Sequence, residues 1–170
     1  ERAKEIPGLS EARGVALYWP LVERGEIDLR ALDAWLRERG VRVYYPFMEP
    51  KERPGAFRTG FRLSASADDV ILRGRTFAEP PPEAAEAKPG DVDFVFVPAL
   101  AADGRGHRIG YGAGSYDATL ADVRPPARAV LVVYEFQLLA EIPIESHDVP
   151  CDVVLTDRRW LVAEPDAVVK

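Results

Sequence analysis

The sequence predicts an α/β protein: a three-layer α/β/α domain on a mostly parallel sheet, with ligand loops at the strand carboxyl ends. Three observations predict it. First, strand, helix and strand follow one another between residues 14 and 45 with short links, and such a crossover makes its two strands parallel. Second, residues 94–97 and 129–134 are unbroken apolar runs rich in β-branched and aromatic side chains, which read as buried strands. Third, the run at 94–97 leads through a glycine-rich loop into a helix at Tyr116. The 170 residues are expected to form one domain.

Each element has a local reason. Residues 1–10 begin with helical composition and break at Pro7-Gly8. Residues 14–19, Gly-Val-Ala-Leu-Tyr-Trp, are the first strand. Asp28 is a good N-cap for a helix over 29–39, where Leu29, Leu32, Trp35 and Leu36 share one face. Gly40 stops that helix. A second strand over 41–45 ends at Pro46. Residues 56–63 alternate weakly and predict an edge strand or hairpin. Residues 64–72 predict a helical turn opened by Ser66 or Asp68. The run Glu79-Pro80-Pro81-Pro82 is extended, because each proline biases its predecessor away from helix. Residues 82–90 read as a mobile connector. Beyond the glycine loop, Pro125-Pro126 ends the helix that starts at Tyr116. The strand at 129–134 is followed by a short helical segment from 135 to 139 and an extended Ile142-Pro143-Ile144. A last strand at 153–155 joins the same sheet.

Composition excludes several classes. Hydrophobic residues make up 47%, charged residues 29%, and the net charge is −6, which describes a soluble globular chain and a poor nonspecific binder of nucleic acid. No apolar run approaches the roughly 20 residues that cross a bilayer. No signal peptide is visible, and the single cysteine, Cys151, excludes an internal disulfide. Together these predict a cytoplasmic protein with neither nucleic-acid nor membrane partner, and we expect a monomer. The first residue is Glu1 rather than Met, so an upstream N-terminal piece is expected.

The chemistry concentrates in residues 94–120. Gly104, Gly106, Gly110, Gly112 and Gly114 fall between a strand and a helix, with Arg105 and Arg108 among them. Strand, glycine loop and helix present backbone N–H groups and a positive helix end to an anion, so the stretch is a candidate phosphate cradle. A plain flexible turn would need fewer glycines. No Gly-Lys-Ser/Thr closes the loop, and no acidic residue ends a second strand at the dinucleotide-binding distance. His107, His147 and Cys151 lack zinc-site spacing. His107 reads as a solvated loop residue, and Cys151 as a small apolar residue at a strand start. Ser115 is followed by Tyr116-Asp117, which is not a nucleophile elbow.

Residues 97–101 (Val-Pro-Ala-Leu-Ala), then Asp103, Gly104 and residues 108–117 (Arg-Ile-Gly-Tyr-Gly-Ala-Gly-Ser-Tyr-Asp) resemble the signature of the 5-formyltetrahydrofolate cyclo-ligase family, V-P-G-L-A-F-D-x-x-G-x-R-L-G-x-G-x-G-Y-Y-D. Three further segments agree. Gly25-Glu26-Ile27-Asp28 is similar to the family's G-E-V/I-D/E, Phe77-Ala78-Glu79-Pro80 to its G-I-x-E-P, and residues 145–157 to its closing segment E-x-H/N-D-x-x-V-D-x-V-x-T. The departures are Ala99 for a glycine, Ala102 for an aromatic, Ser115 for the first tyrosine and Phe47 where an arginine is usual.

The resemblance implies ATP- and magnesium-dependent conversion of the reduced folate 5-formyltetrahydrofolate to 5,10-methenyltetrahydrofolate, with release of ADP and phosphate. By it, Arg108, Ile109, Gly110, Tyr111, Gly112, Ala113, Gly114, Ser115 and Tyr116 would bind ATP. Leu21, Glu26, Tyr111, Gly112, Ala113, Gly114 and Ser115 would bind the folate, with Trp19 near enough to line the same pocket. Asp117 and Asp148 would hold magnesium, which takes hard oxygen ligands, and Arg108 and Asp117 would be catalytic. On residue type alone, Glu26 and Asp117 read equally as carboxylates beside helix N-termini, and Asp148 as a turn residue. Two other readings stay open. One is a related protein without catalysis that binds ATP or another small anion. The other, on fold analogy alone, is a sugar-phosphate or coenzyme A transfer enzyme.

Overall fold

Alternate residues of the apolar strands face opposite ways, and that alternation sorts the core into two layers. Val15, Val43, Phe94, Phe96, Val130, Val132, Val153 and Leu155 are buried on one side of the sheet. Ala16, Tyr44, Val95, Val97, Ala129, Leu131 and Val154 are buried on the other. A sheet apolar on both faces needs cover on both, which makes three layers. The structure, a computed structural model, describes residues 1–53, 57–73, 77–110, 115–145 and 148–164, with side chains at all of these except Ser115, Asp117 and Ala118.

In chain order the strands are β1 (Gly14–Ala16), β2 (Arg42–Pro50), β3 (Phe57–Leu63), β4 (Ile71–Leu72), β5 (Ala78–Glu79) and β6 (Phe94–Pro98). They continue as β7 (Ala101–Asp103), β8 (Arg108–Ile109), β9 (Arg128–Val132), β10 (Leu138–Leu139), β11 (Val153–Leu155) and β12 (Trp160–Val162). The helices are α1 (Arg30–Glu38) and α2 (Ser115–Val123). The main sheet has seven strands in the order β12-β11-β9-β6-β1-β2-β3. Its interior pairs, β11 with β9, β9 with β6, β6 with β1 and β1 with β2, are all parallel. Antiparallel β12 and β3 close the two edges. A small sheet, β10-β7-β8, stands beside it.

Strand order reverses at β1. The chain passes from β1 through α1 to β2, then returns to the other side of β1 for β6, α2 and β9. Right-handed crossovers running in opposite directions put their helices on opposite faces. Leu32 and Leu36 of α1 accordingly pack in one core layer, and Leu120 and Val123 of α2 in the other. Within α1, Asp33 is buried along with the leucines. It is held by the Arg37 guanidinium at 2.9 Å and the Tyr45 hydroxyl at 2.8 Å. Gly40, at φ +74°, ends α1 in the left-handed conformation that glycine tolerates.

The structure corrects three expectations. Strand β2 does not stop at Pro46 but runs on to Pro50. Arg42 N donates to Arg13 O and Tyr44 O accepts from Leu17 N, so even-numbered residues of β2 bond toward β1. Pro46 faces that same side past the end of β1, where no N–H is required. Strand β1 itself is shorter than expected and closes at Ala16. Residues 82–90 are not a loose connector. Leu63 N donates to Ala85 O and Ala87 N to Phe61 O, so the segment runs along the outer edge of β3. The Glu86 carboxylate pairs with Arg58 at 2.7 Å and Arg62 at 3.3 Å.

Asp93 fastens the start of β6 to the start of β1, its Oδ2 accepting from Arg13 N at 2.6 Å and Gly14 N at 3.2 Å. Burial pushes the carboxyl up, but these backbone donors outweigh burial and hold it below its ordinary value. A depressed carboxylate contributes stability that is complete above its unfolded pKa, about 3.9, and disappears as pH falls through the native value. Urea midpoints are therefore expected to drop below about pH 4, and Asp93→Asn to flatten that acid limb. An acid limb unchanged in the variant would refute the role of Asp93.

Candidate active site

The parallel strands β1, β6 and β9 lie side by side, and the loops leaving their carboxyl ends enclose one cleft. Its walls are Tyr18 and residues 24–27 after β1, Pro98, Ala99 and Leu100 at the end of β6, and Val132 with Gln137 after β9. The loop after β1 is built from its own bonds. A short turn over Val22–Arg24 ends at Gly25, φ +76°. The turn brings Glu26 back over Leu21, whose N–H donates to Glu26 Oε2 at 2.8 Å. The Tyr18 hydroxyl donates to Ile27 O at 2.8 Å. Glu26 thus stands in the cleft wall, and Leu21, which is not itself in that wall, serves it through its backbone.

The glycine stretch is not one continuous cradle. Its first part is a hairpin, β7 paired antiparallel with β8, and Gly104 and Gly106 belong to the hairpin turn. Gly106 has φ +85°, and a Cβ there would lie 2.2 Å from Cys151 O. Glycine is required at that position by close packing, not by a ligand. Arg105 turns away to Glu141 at 3.0 Å and Asp103 at 3.6 Å.

Asp103, fully buried, organises the hairpin. One carboxylate oxygen accepts from Arg105 N at 2.9 Å and His107 N at 3.1 Å. The other accepts from Ile142 N at 3.1 Å and faces His107 Nδ1 at 3.2 Å. Burial pushes this carboxyl up, yet the backbone donors hold it below its usual value. His107 is buried against it, not solvated as expected. Two further links tie the hairpin to the segment before β11: Cys151 N donates to Gly106 O at 2.9 Å, and Arg108 Nη1 donates to Val149 O at 2.7 Å. Burial pushes the Cys151 thiol up to about 11, so it behaves as the small apolar residue expected there.

Tyr116, at the start of α2, is where the two halves of the site meet. Its phenol is pushed up by burial and by the Glu26 charge, and pulled down by Arg108. The Tyr18 phenol, also raised by burial, feels Glu26, Tyr116 and Tyr134. Glu26 and Arg108, drawn from two separate segments, therefore each lie within electrostatic reach of Tyr116. Asp148 stands on the segment that Arg108 secures, where its Oδ2 accepts from Glu145 N at 2.7 Å. Ile109 is exposed at the end of β8 and Gly110 follows it. Tyr111, Gly112, Ala113 and Gly114 lie outside the described residues, as do the side chains of Ser115 and Asp117. Trp19 packs edge-on against Tyr45, with ring centroids 5.7 Å apart. Phe47 is buried beneath the Arg62 and Arg58 guanidinium groups, 3.9 and 4.8 Å from its ring centroid. Ala102 is core. Sequence reasoning missed Tyr18, Asp103 and Gln137 as parts of the site. Only Asp103 carried a local signal, an Asp immediately ahead of a glycine-rich turn.

An open α/β sheet with a cleft where its strand order reverses, walled by the Glu26 carboxylate, Tyr18 and Arg24, defines a small-molecule-binding α/β enzyme domain. Comparison with known proteins makes this specific: residues 1–157 match the 5-formyltetrahydrofolate cyclo-ligase family, and the chain belongs to it. The 5-formyltetrahydrofolate cyclo-ligase of Mycolicibacterium smegmatis is 38% identical over 159 residues, covering 93% of this chain and 74% of that protein. The Escherichia coli protein of the same name is 27% identical over 157 residues, 91% of this chain and 84% of its own length. The 5,10-methenyltetrahydrofolate synthetase structure from Aquifex aeolicus superposes with a TM-score of 0.75 at 28% identity, over 98% of this chain and 80% of that one. The Mycoplasma pneumoniae synthetase, at 19% identity and a TM-score of 0.65, shares the fold over 91% of this chain and 79% of its own.

Asp103→Asn would keep the shape of the hub but turn amide protons toward backbone donors. Hydrogen bonds to a charged group contribute about 1.5–3 kcal/mol each, so a loss of at least ~2 kcal/mol in urea unfolding is expected. An unchanged midpoint would show that the carboxylate does not hold the hairpin.

Proposed function

We propose that this protein catalyses the ATP- and magnesium-dependent cyclisation of 5-formyltetrahydrofolate to 5,10-methenyltetrahydrofolate, releasing ADP and phosphate. The observation that carries the reading is the convergence at Tyr116. The arginine expected to hold phosphates and the carboxylate expected to hold the folate both act on that one phenol. Family membership supplies the substrate class.

The residues present fit this chemistry. Arg108 offers a guanidinium on a hairpin fixed at Asp103 and Gly106, suited to a phosphate oxygen. The carboxylates of Asp148 and Asp117 are the hard-oxygen donors magnesium takes. When bound, ATP and magnesium supply the phosphoryl group that turns the formyl oxygen into a leaving group, and offset the charge that develops. The protein's part is positioning. Glu26, fixed by Leu21 N, accepts hydrogen bonds from the N–H groups of the pterin. The raised phenols of Tyr18 and Tyr116 stay protonated, and Tyr18 spends its proton on Ile27 O, which fixes the loop that carries Glu26. The loops shield the activated formyl group from water.

The test is the near-ultraviolet absorbance of the methenyl product, followed with protein, 5-formyltetrahydrofolate, ATP and magnesium. A rise that requires all four is expected. Arg108→Ala should raise the KM for ATP at least about tenfold, the equivalent of one charge-assisted hydrogen bond. Asp117→Ala should abolish turnover in a folded protein. Bound ATP with no product would point instead to a related protein that has lost catalysis.

A further inference from the structure

Among the described residues, Phe136 is the most exposed large apolar side chain, at 82%. It does not sit on a loose loop. It belongs to the turn Glu135–Gln137 just after β9, and that turn is tied on every side. The N–H of Glu135 donates to Asp157 Oδ1 at 2.8 Å. The Glu135 carboxylate receives Thr156 Oγ1 at 2.8 Å and Arg159 Nη2 at 2.7 Å. Gln137 Oε1 accepts from Tyr134 N at 2.7 Å, while its Nε2 donates to Leu100 O at 3.0 Å. These bonds hold the turn against the end of β6, where Leu100 and Gln137 are themselves walls of the cleft that contains Glu26.

On this fixed turn the Phe136 ring stacks on Tyr134, with centroids 5.5 Å apart and planes 11° from parallel. Tyr134 covers one face of the ring, and its phenol lies within electrostatic reach of Tyr18 inside the cleft. The other face is open, as the exposure requires. An exposed phenylalanine gains nothing from burial in the folded chain. Stacked flat and held by a braced turn, it loses little further freedom when a second ring lands on it.

We propose that the Tyr134–Phe136 pair is a stacking platform at the rim of the cleft for the aromatic ring of the reduced folate, its p-aminobenzoyl group. The assignment rests on the proposed function, which places the pterin of the same molecule at Glu26 on the other side of the cleft. Phe136 is then a specificity residue: it holds the substrate beyond its reacting end and touches no reacting atom.

The test compares the parent with Phe136→Ala and Phe136→Tyr. Calorimetry reads the affinity for 5-formyltetrahydrofolate without ATP, and steady-state kinetics reads KM for each substrate and kcat. One lost ring contact is equivalent to about tenfold in affinity. Phe136→Ala is expected to raise both Kd and KM for the folate by about that factor and to leave the KM for ATP unchanged. Phe136→Tyr should restore both. Folate affinity unchanged in Phe136→Ala, or a rise confined to the KM for ATP, overturns the platform. A parent that binds the folate without turnover overturns the proposed activity instead, and the binding comparison still decides the platform.

Discussion

The reversal of strand order between β1 and β6 is the constraint on which the rest depends. Parallel strands need crossovers, and crossovers of fixed hand that diverge from one point leave a gap between their outgoing loops. In this chain the gap lies above β1 and β6, and the loops after those strands and β9 wall it. The reversal also explains why α1 and α2 cover opposite faces. The sheet must then be apolar on both sides, as the alternation of buried residues along β6, β9 and β11 satisfies. Site and core follow from one topological fact.

A topological gap does not fix side chains, and the hairpin of β7 and β8 supplies that order. Its central charge, Asp103, is buried with the Arg105 guanidinium 3.6 Å away, and three backbone N–H groups and the His107 ring take the place of water. Removing one donor from such a group costs more than any single bond in it contributes, so the node behaves as a unit. Through Ile142 N the same carboxylate reaches the segment that carries Asp148. Arg108 and Gly106 reach it again at Val149 and Cys151. The segments expected to carry the phosphate-binding arginine and a metal-binding carboxylate are thus fastened together by backbone groups, which substitution of neighbouring side chains leaves intact.

What the sequence made legible was whatever has a short-range cause. The buried strands at 94–97 and 129–132 (the expected run to 134 ends two residues early), the face of α1 and its stop at Gly40, the Ser66 turn and the edge strand up to Leu63 all show in local pattern. What it hid has partners far along the chain. His107 resembles a solvated loop residue until the fold buries it against Asp103, whose carboxylate is also held by Ile142 N. The glycines at 104 and 106 resemble a ligand cradle, although at 106 the crowding atom is Cys151 O, 45 residues away. Pro46 reads as a strand terminator only if its neighbour on that side is assumed to continue, and β1 stops first. The site divides the same way. Motif words singled out Glu26 and Arg108, while Tyr18 and Gln137 join the cleft through strand order, which no window of residues contains.

Charge adds the last step. On the proposed function a chain of net charge −6 receives two anionic substrates, so its overall field opposes their approach. Much of its arginine is committed to internal pairs: Arg37 to Asp33, Arg58 and Arg62 to Glu49 and Glu86, Arg124 to Asp152, Arg105 to Glu141. Those pairs brace edges and loops and add little net positive potential at the cleft. Attraction has to come from short range, where a few fixed groups act without competition from water. The parallel strands direct their ends there, Arg24 stands in the wall, and Arg108 lies within reach of Tyr116. Where long-range steering is unfavourable, shape and stacking must carry more of the recognition. A rigid aromatic pair on the rim of an acidic protein meets that need without adding charge.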